Sequence, residues 1–204
     1  PNPMSLKPNR STMAILVIGE FIFGLGDSLL IAAGIGNTPW TVLAEGIAIT
    51  AEVWTIGEAT FLVSIAVMFL WIPIKETPGI GTILNIIIIA LTIHVMVPIL
   101  PQPDSYLVSI LMASSGIVLV GIGSTMYLTA NLGPGPRDGW MTGLQRATGV
   151  PIGRVRITIE ATVLVIGVVL GGNFGIGTIL FAVTIGPVVA SSLSIASRID
   201  STTR

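Results

Sequence analysis

Gly79-Ile80-Gly81-Thr82-Ile83-Leu84 recurs unchanged as Gly175-Ile176-Gly177-Thr178-Ile179-Leu180, 96 residues further on. A match of this length at a fixed offset invites a search for more. At the same offset Ile56-Gly57 meets Ile152-Gly153. At an offset of 97, Gly19, Gly24 and Gly26 meet Gly116, Gly121 and Gly123, Gly36 and Pro39 meet Gly133 and Pro136, and Gly46 meets Gly143. The change of offset falls in a connection, where insertions belong. The chain therefore reads as a duplication, with repeat 1 at about 12–99 and repeat 2 at about 106–197 of a single membrane domain covering 1–204. Each half reads helix, Gly/Pro connection with a short helix, helix, tight glycine turn, helix.

The composition says where such a pattern belongs. Of 204 residues, 52% are hydrophobic and 9% charged, against the roughly 25% charged of a soluble domain. Apolar runs of spanning length lie at 12–33, 55–74, 79–99, 106–130, 152–171 and 175–197, bounded by Pro, Gly or charge. A span needs about 20 residues. Six spans thus use most of the chain and leave short loops. The first run follows Lys7 and Arg10 but contains Glu20 and Asp27 and is longer than a signal-peptide core, so it reads as a retained helix.

Charge gives the direction. With a cytoplasmic amino terminus, the inner segments 1–11, 75–78, 131–156 and 198–204 hold all nine Lys and Arg. The outer connections hold none and carry Glu45, Glu52 and Asp104. This satisfies the positive-inside rule and puts both termini on the cytoplasmic side of the membrane. Three spans per half is odd, so the second half enters the membrane from the opposite side. The fold expected is an all-α membrane protein of six transmembrane helices in two inverted-topology three-helix repeats, each with a short helix between its first two spans. Many secondary transporters are built this way, with their sites near the midplane between repeats. A duplication that merely builds a stable bundle is the other reading.

The residues able to carry chemistry are few. Glu160 lies about mid-span in the fifth run, where a bare carboxylate costs roughly 2.5–3.5 kcal/mol. Arg156, one turn below, shares its helix face and predicts a pair. The pair either fixes packing or holds a coupling ion or ligand. Its repeat partner is Ser64, so the halves differ at that depth. Glu20, Gly24 and Asp27 share one face of the first span, a face that cannot look at lipid. Together with Glu160 they form an acidic set suited to a cation or protons, or else are protonated carboxyls bonded to neighbouring helices. Ser124 and Thr125 take the places of Asp27 and Ser28 in repeat 2 and offer neutral oxygens. In 131–140 the run Gly-Pro-Gly-Pro precedes Arg137, and Asp138 suits a helix start. This connection and its counterpart 34–41 either re-enter the bilayer around a polar cavity or lie at the interface, with Trp40 and Trp140 as headgroup-level anchors. Arg137 suits an anion or a phospholipid headgroup. Gly167 and Gly171 predict close helix contact. Glu58 reads as solvated at an outer helix end and His94 as a packing residue.

The chain has no cysteine, one histidine and no metal-ligand cluster, and none of its Gly-rich runs makes a phosphate-binding loop. No enzyme, no cofactor and no nucleic-acid partner is expected.

Gly133-Pro134-Gly135-Pro136-Arg137-Asp138-Gly139, Thr148-Gly149, Arg154 to Glu160 and Gly175-Ile176-Gly177-Thr178 resemble the YczE-like branch of the YczE/YyaS/YitT bacterial membrane proteins. Pro39-Trp40-Thr41-Val42-Leu43 and Pro73 to Leu84 extend the resemblance to the first half, so that it runs from about 13 to 190. In that pattern an acid often follows the first-half tryptophan, where this chain has Thr41. The resemblance implies a bacterial cytoplasmic-membrane protein and leaves its activity open. The leading expectation is a small secondary transporter or solute-binding membrane protein of unknown substrate, proton- or cation-coupled. It would act through Glu160, Asp27 and Glu20, with Arg137 and Arg156 at the inner mouth. The alternative is a non-transporting subunit of a larger membrane complex, joined by small-residue faces. The partners expected are the lipid bilayer, a small solute or ion, and further copies or other subunits.

Overall fold

The computed structural model describes residues 8–52 and 54–202, so Lys7 and Arg204 lie outside the described residues. It is all-helical among those residues. Eight helices follow in order: α1 (Arg10–Ala33), α2 (Pro39–Ala51), α3 (Ile56–Phe69), α4 (Ile80–Met96), α5 (Tyr106–Ala130), α6 (Pro136–Thr148), α7 (Ile152–Val169) and α8 (Ile176–Thr202). Three, α1, α5 and α8, are long and apolar enough to cross a membrane on their own. α4 is apolar but 17 residues long. α7 has 18 residues and carries Arg154, Arg156 and Glu160 within them. α3 is shorter than the run 55–74 suggested. It ends at Phe69, and turns ahead of Pro73 carry the chain onward, as a proline that cannot continue a helix requires.

The short helices form where expected, each opening on a proline at its first turn, where the missing N–H costs nothing. The axes of α2 and α3 turn through 112° across residues 52–55. Glu52 and Gly149 end the two short helices in equivalent left-handed caps.

α1 and α5 form the centre, and their glycines set how close they come. A Cβ on Gly26 would stand 2.5 Å from the Gly116 carbonyl oxygen, and one on Gly116 would stand 2.5 Å from that of Gly26. Gly19 and Gly123, the repeat equivalents of Gly116 and Gly26, meet in the same way. Around this pair the partners exchange regularly. Gly24 packs on Thr92 of α4, and its equivalent Gly121 packs on Val188 of α8. The Gly81 amide donates to the Leu132 carbonyl at 2.9 Å, and the Gly177 amide donates to that of Ile35 at 2.8 Å. Each Gly/Pro connection thus docks on the first turn of the other half's last helix.

The exchange is broken in one place. α3 packs along α4, whereas α7 and α8 barely touch. α7 is held instead by α2, with Gly167 pressed on the backbone of Val42 and Leu43, which fits the close contact expected there. Gly171 does not take part: it has a φ of 94° and turns the chain out of α7.

Candidate functional site

The two Gly/Pro connections meet at the middle of the molecule. Arg137, second residue of α6, lays its guanidinium over the Trp40 ring at 5.2 Å from the centroid. Trp40 is buried in a core with Val63, Met141 and Ile159, and Trp140 packs against that core half-buried. The expectation of a headgroup-level anchor is corrected for Trp40, whose ring is buried inside the protein. The connections dive inward because their backbone groups find partners there. The Trp71 indole donates to the Pro136 carbonyl at 2.9 Å, Thr82 Oγ1 donates to that of Pro134 at 2.7 Å, and the Asn37 amide donates to that of Asn173 at 3.0 Å.

Asp27 is 1% exposed, and its Oδ2 accepts from Thr41 Oγ1 at 2.8 Å. Thr41 in turn accepts from the Thr38 hydroxyl at 2.9 Å. The other Asp27 oxygen has no partner. The place where the family pattern has an acid therefore carries the hydroxyl that holds the acid of α1. In the second half the arrangement is inverted. The acid is Asp138 on α6, which accepts from the Tyr127 hydroxyl of α5, while Ser124 replaces Asp27 and donates to the Val120 carbonyl at 2.7 Å.

Arg156 Nε lies 3.2 Å from Glu160 Oε1, the pair its spacing predicted, with side chains 50% and 26% exposed. The acids do not form one cluster. Glu20 is 0% exposed and neither oxygen has a hydrogen-bond partner. Asn85 of α4 is its polar neighbour. Asp27, Asp138 and Glu160 all act electrostatically on Arg137. Ser64, the repeat partner of Glu160, is buried.

Three adjoining cavities connect these groups. A cleft of about 640 Å³ lies between α7 and α8, with Arg156, Glu160 and Pro39 at its inner end and Leu164, Phe181 and Leu193 among its walls. Pro39, Arg156, Glu160 and Phe181 also bound a chamber of about 130 Å³, which reaches Trp40, Ser124, Tyr127, Arg137 and Asp138. Beyond it Tyr127, Arg137 and Asp138 border a space of about 30 Å³ shared with Thr60, Ser64 and Asn85. That is room for one or two waters. The groove of about 490 Å³ on α3 and α4, at Trp54, Glu58, Phe61 and His94, shares no wall with this series. There His94 Nδ1 is bonded to Thr55 Oγ1 at 2.9 Å, and Glu58 closes a capping box with Thr55.

Two functional features escaped the sequence reading. Trp40 and Arg137 occupy equivalent positions at offset 97, and residues that meet their own repeat equivalent lie where the halves face each other. That pairing was a usable signal. Glu45 reads as an outer acid, yet its Oε2 accepts from Asn37 Nδ2 at 2.7 Å and from the Asn173 amide at 2.8 Å, tying α2 to the α7–α8 turn. Arg146 and Glu76, 2.5 Å apart, tie α6 to the α3–α4 turn.

A family model described as a family of unknown function (DUF6198) matches residues 10–192. An uncharacterized protein of Haemophilus influenzae is 44% identical over 188 residues, covering 92% of this chain and 86% of its own. The Bacillus subtilis protein named uncharacterized membrane protein YczE is 34% identical over 180 residues, covering 86% of this chain and 82% of its own. The uncharacterized protein YyaS of the same organism is 27% identical over 175 residues, covering 80% and 83%. No solved structure matches. The chain belongs to the DUF6198 family, in its YczE-like branch.

Proposed function

We propose that this chain is a small secondary transporter or solute-binding protein of the bacterial cytoplasmic membrane, built from two inverted three-span repeats with both termini inside. The observation that carries the reading is the cleft between α7 and α8. The equivalent pair α3 and α4 is packed together, so one half is shut where the other is open, and the open side leads to the charged groups around Arg137. Two halves whose contacts exchange partners are related by a two-fold. With three spans each, the axis lies in the membrane plane, the arrangement of carriers that alternate access. The distribution of Lys and Arg supports an orientation in which this is an inward-open state. Glu160, Asp27, Asp138 and Glu20 supply the coupling groups, and no enzymatic step is assigned.

The test is thermal stability of the purified protein against a panel of cations, anions and small metabolites at several pH values, beside Glu160→Gln. A ligand at 100 times its Kd stabilises by about 2.7 kcal/mol if it binds only the folded state. The reading expects a ligand whose shift the variant loses. A flat panel contradicts it.

One observation favours a second reading. α8 buries far less of its apolar length than α1 or α5, as a face covered by another subunit would. A non-transporting subunit of a larger membrane complex predicts stoichiometric copurification with a partner from native membranes, and a lone protein there argues against it.

A further inference from the structure

Arg137 makes no hydrogen bond and no ion pair among the described residues, although three acids stand around it. Each acid already has a partner. Asp27 has Thr41, Asp138 has Tyr127 and Glu160 has Arg156. The guanidinium is placed by its contact with the Trp40 ring, and none of its five N–H donors has a hydrogen-bond partner among the described residues. It borders both the 130 Å³ chamber and the 30 Å³ space behind it. Further N–H donors lie beside it. The Trp40 indole N–H is buried, has no acceptor, and belongs to a ring that lines the chamber. The first turn of α6 follows Gly135, which supplies no side-chain cap; Pro136 has no N–H and the Gly139 N–H bonds the Gly135 carbonyl, which leaves the Arg137 and Asp138 amides without a helix partner. Asp138 and Glu160 line the chamber, but among the described residues neither comes within ion-pair distance of Arg137, so the guanidinium fork is open to an oxyanion that a ligand brings. A planar or tetrahedral oxyanion fits the guanidinium fork two oxygens at a time.

The route to this fork has a different chemistry. The walls of the α7–α8 cleft are Ala161, Leu164, Phe181, Ile185, Val189 and Leu193. A small hydrated anion gains nothing from such walls, whereas a hydrocarbon body does, at about 25 cal/mol per Å².

We infer that the site takes an amphipathic anion, its carboxylate, sulfonate or phosphate head on Arg137 and its apolar body in the cleft between α7 and α8. The inference rests on the carrier reading for the route, but binding is testable without transport. The ligand comes either from water or from the bilayer, since a lipid headgroup offers the same oxyanion.

The experiment measures octanesulfonate binding to the whole protein in nanodiscs of phosphatidylcholine, by calorimetry and by tryptophan fluorescence. A sulfonate keeps its charge across the working pH range. Wild type binds and its fluorescence changes. Arg137→Gln lowers affinity at least about tenfold, a loss of about 1.4 kcal/mol. Arg137→Lys, which keeps the charge and loses the fork, falls between. Trp40→Phe, which keeps a ring under Arg137 but loses the indole donor, binds more weakly than wild type and without most of the fluorescence change, and Arg154→Gln binds as wild type does. In phosphatidylglycerol nanodiscs, weakened octanesulfonate binding identifies the bilayer as the source, and unchanged binding identifies water. Inorganic sulfate binding as tightly as octanesulfonate would remove the apolar half of the inference. Equal affinity of wild type and both Arg137 variants, or binding of octyltrimethylammonium in place of octanesulfonate, overturns it. Octanesulfonate binding with no transport of any solute sinks the carrier reading and leaves this inference standing. Uptake of some other solute with no octanesulfonate binding does the reverse.

Discussion

Thr41 decides the surroundings of Asp27. Its hydroxyl is the donor that faces the carboxylate, and the second Asp27 oxygen already lacks a partner. Removing the hydroxyl takes away the donor bonded to the buried acid and the acceptor of Thr38, at a cost of about 1–3 kcal/mol. Thr41→Val is therefore expected to unfold earlier than wild type in a denaturant titration in mixed micelles, and Thr41→Ser to match wild type. Equal stability of the valine variant would show that Asp27 does not need the bond. Glu20 poses the opposite case. It is sealed and unpartnered, and repeat 2 holds Ile117 at its place. A buried polar group without partners is a net cost, so Glu20→Ile is expected to be at least as stable as wild type by the same titration. A large loss of stability would mean that the carboxyl is bonded in the folded protein. The sequence told that both acids must face inward, because carboxyls at i and i+7 share a face and lipid rejects them. It could not tell that one is bonded and the other bare, since Thr41 and Asn85 arrive from other helices.

The limits of the helices were legible because apolar length and its punctuation fix them. The run 106–130 is α5 to the residue, and Pro39 and Pro136 open the two short helices. Helix closeness follows from the glycines. Gly26→Ala drives a Cβ into the Gly116 carbonyl and forces α1 from α5, an overpacking cost of about 1–3 kcal/mol or more. Gly153→Ala meets nothing within 4 Å, and its effect stays within about 0.5 kcal/mol. Parallel unfolding curves for the two variants check this. Two ties between helices separate in the same way. Arg146 and Glu76 are 64% and 15% exposed, so cutting that pair costs about 1 kcal/mol or less. Glu45→Ala frees the Asn37 amide group and the Asn173 N–H inside the protein, at about 1–3 kcal/mol. If Arg146→Ala proves the more damaging of the two, this ordering is wrong. The sequence showed Glu45 as one acid among three on the outer side, because the partner that ties it across the molecule, Asn173, lies 128 residues away.

The paired glycine contacts at α1–α5 and at the tight turns were legible as matched positions in the sequence, because a Cβ on either side would meet backbone. The asymmetry was not. Whether α7 packs on α8 depends on contacts between distant residues, with Gly167 on Val42 and Leu43 of α2, which the spacing of residues along the chain does not reveal. The site falls between these extremes. Arg137, Asp138, Asp27, Arg156 and Glu160 could all be named from the sequence, but their gathering around Trp40 depends on two connections that reach the centre from different helices. The central claim is that one of two equivalent helix pairs is open to the cytoplasm and the other shut. The chain has no cysteine, so single cysteines report cleanly. Ala161→Cys, on the cleft wall of α7, and Ile65→Cys, its repeat equivalent on α3, are to be labelled with a membrane-impermeant maleimide in inside-out and right-side-out vesicles. The account predicts that position 161 labels in inside-out vesicles and not in right-side-out ones, while position 65 labels in neither. Labelling of 161 from the outer face, or equal labelling of both positions, would contradict it.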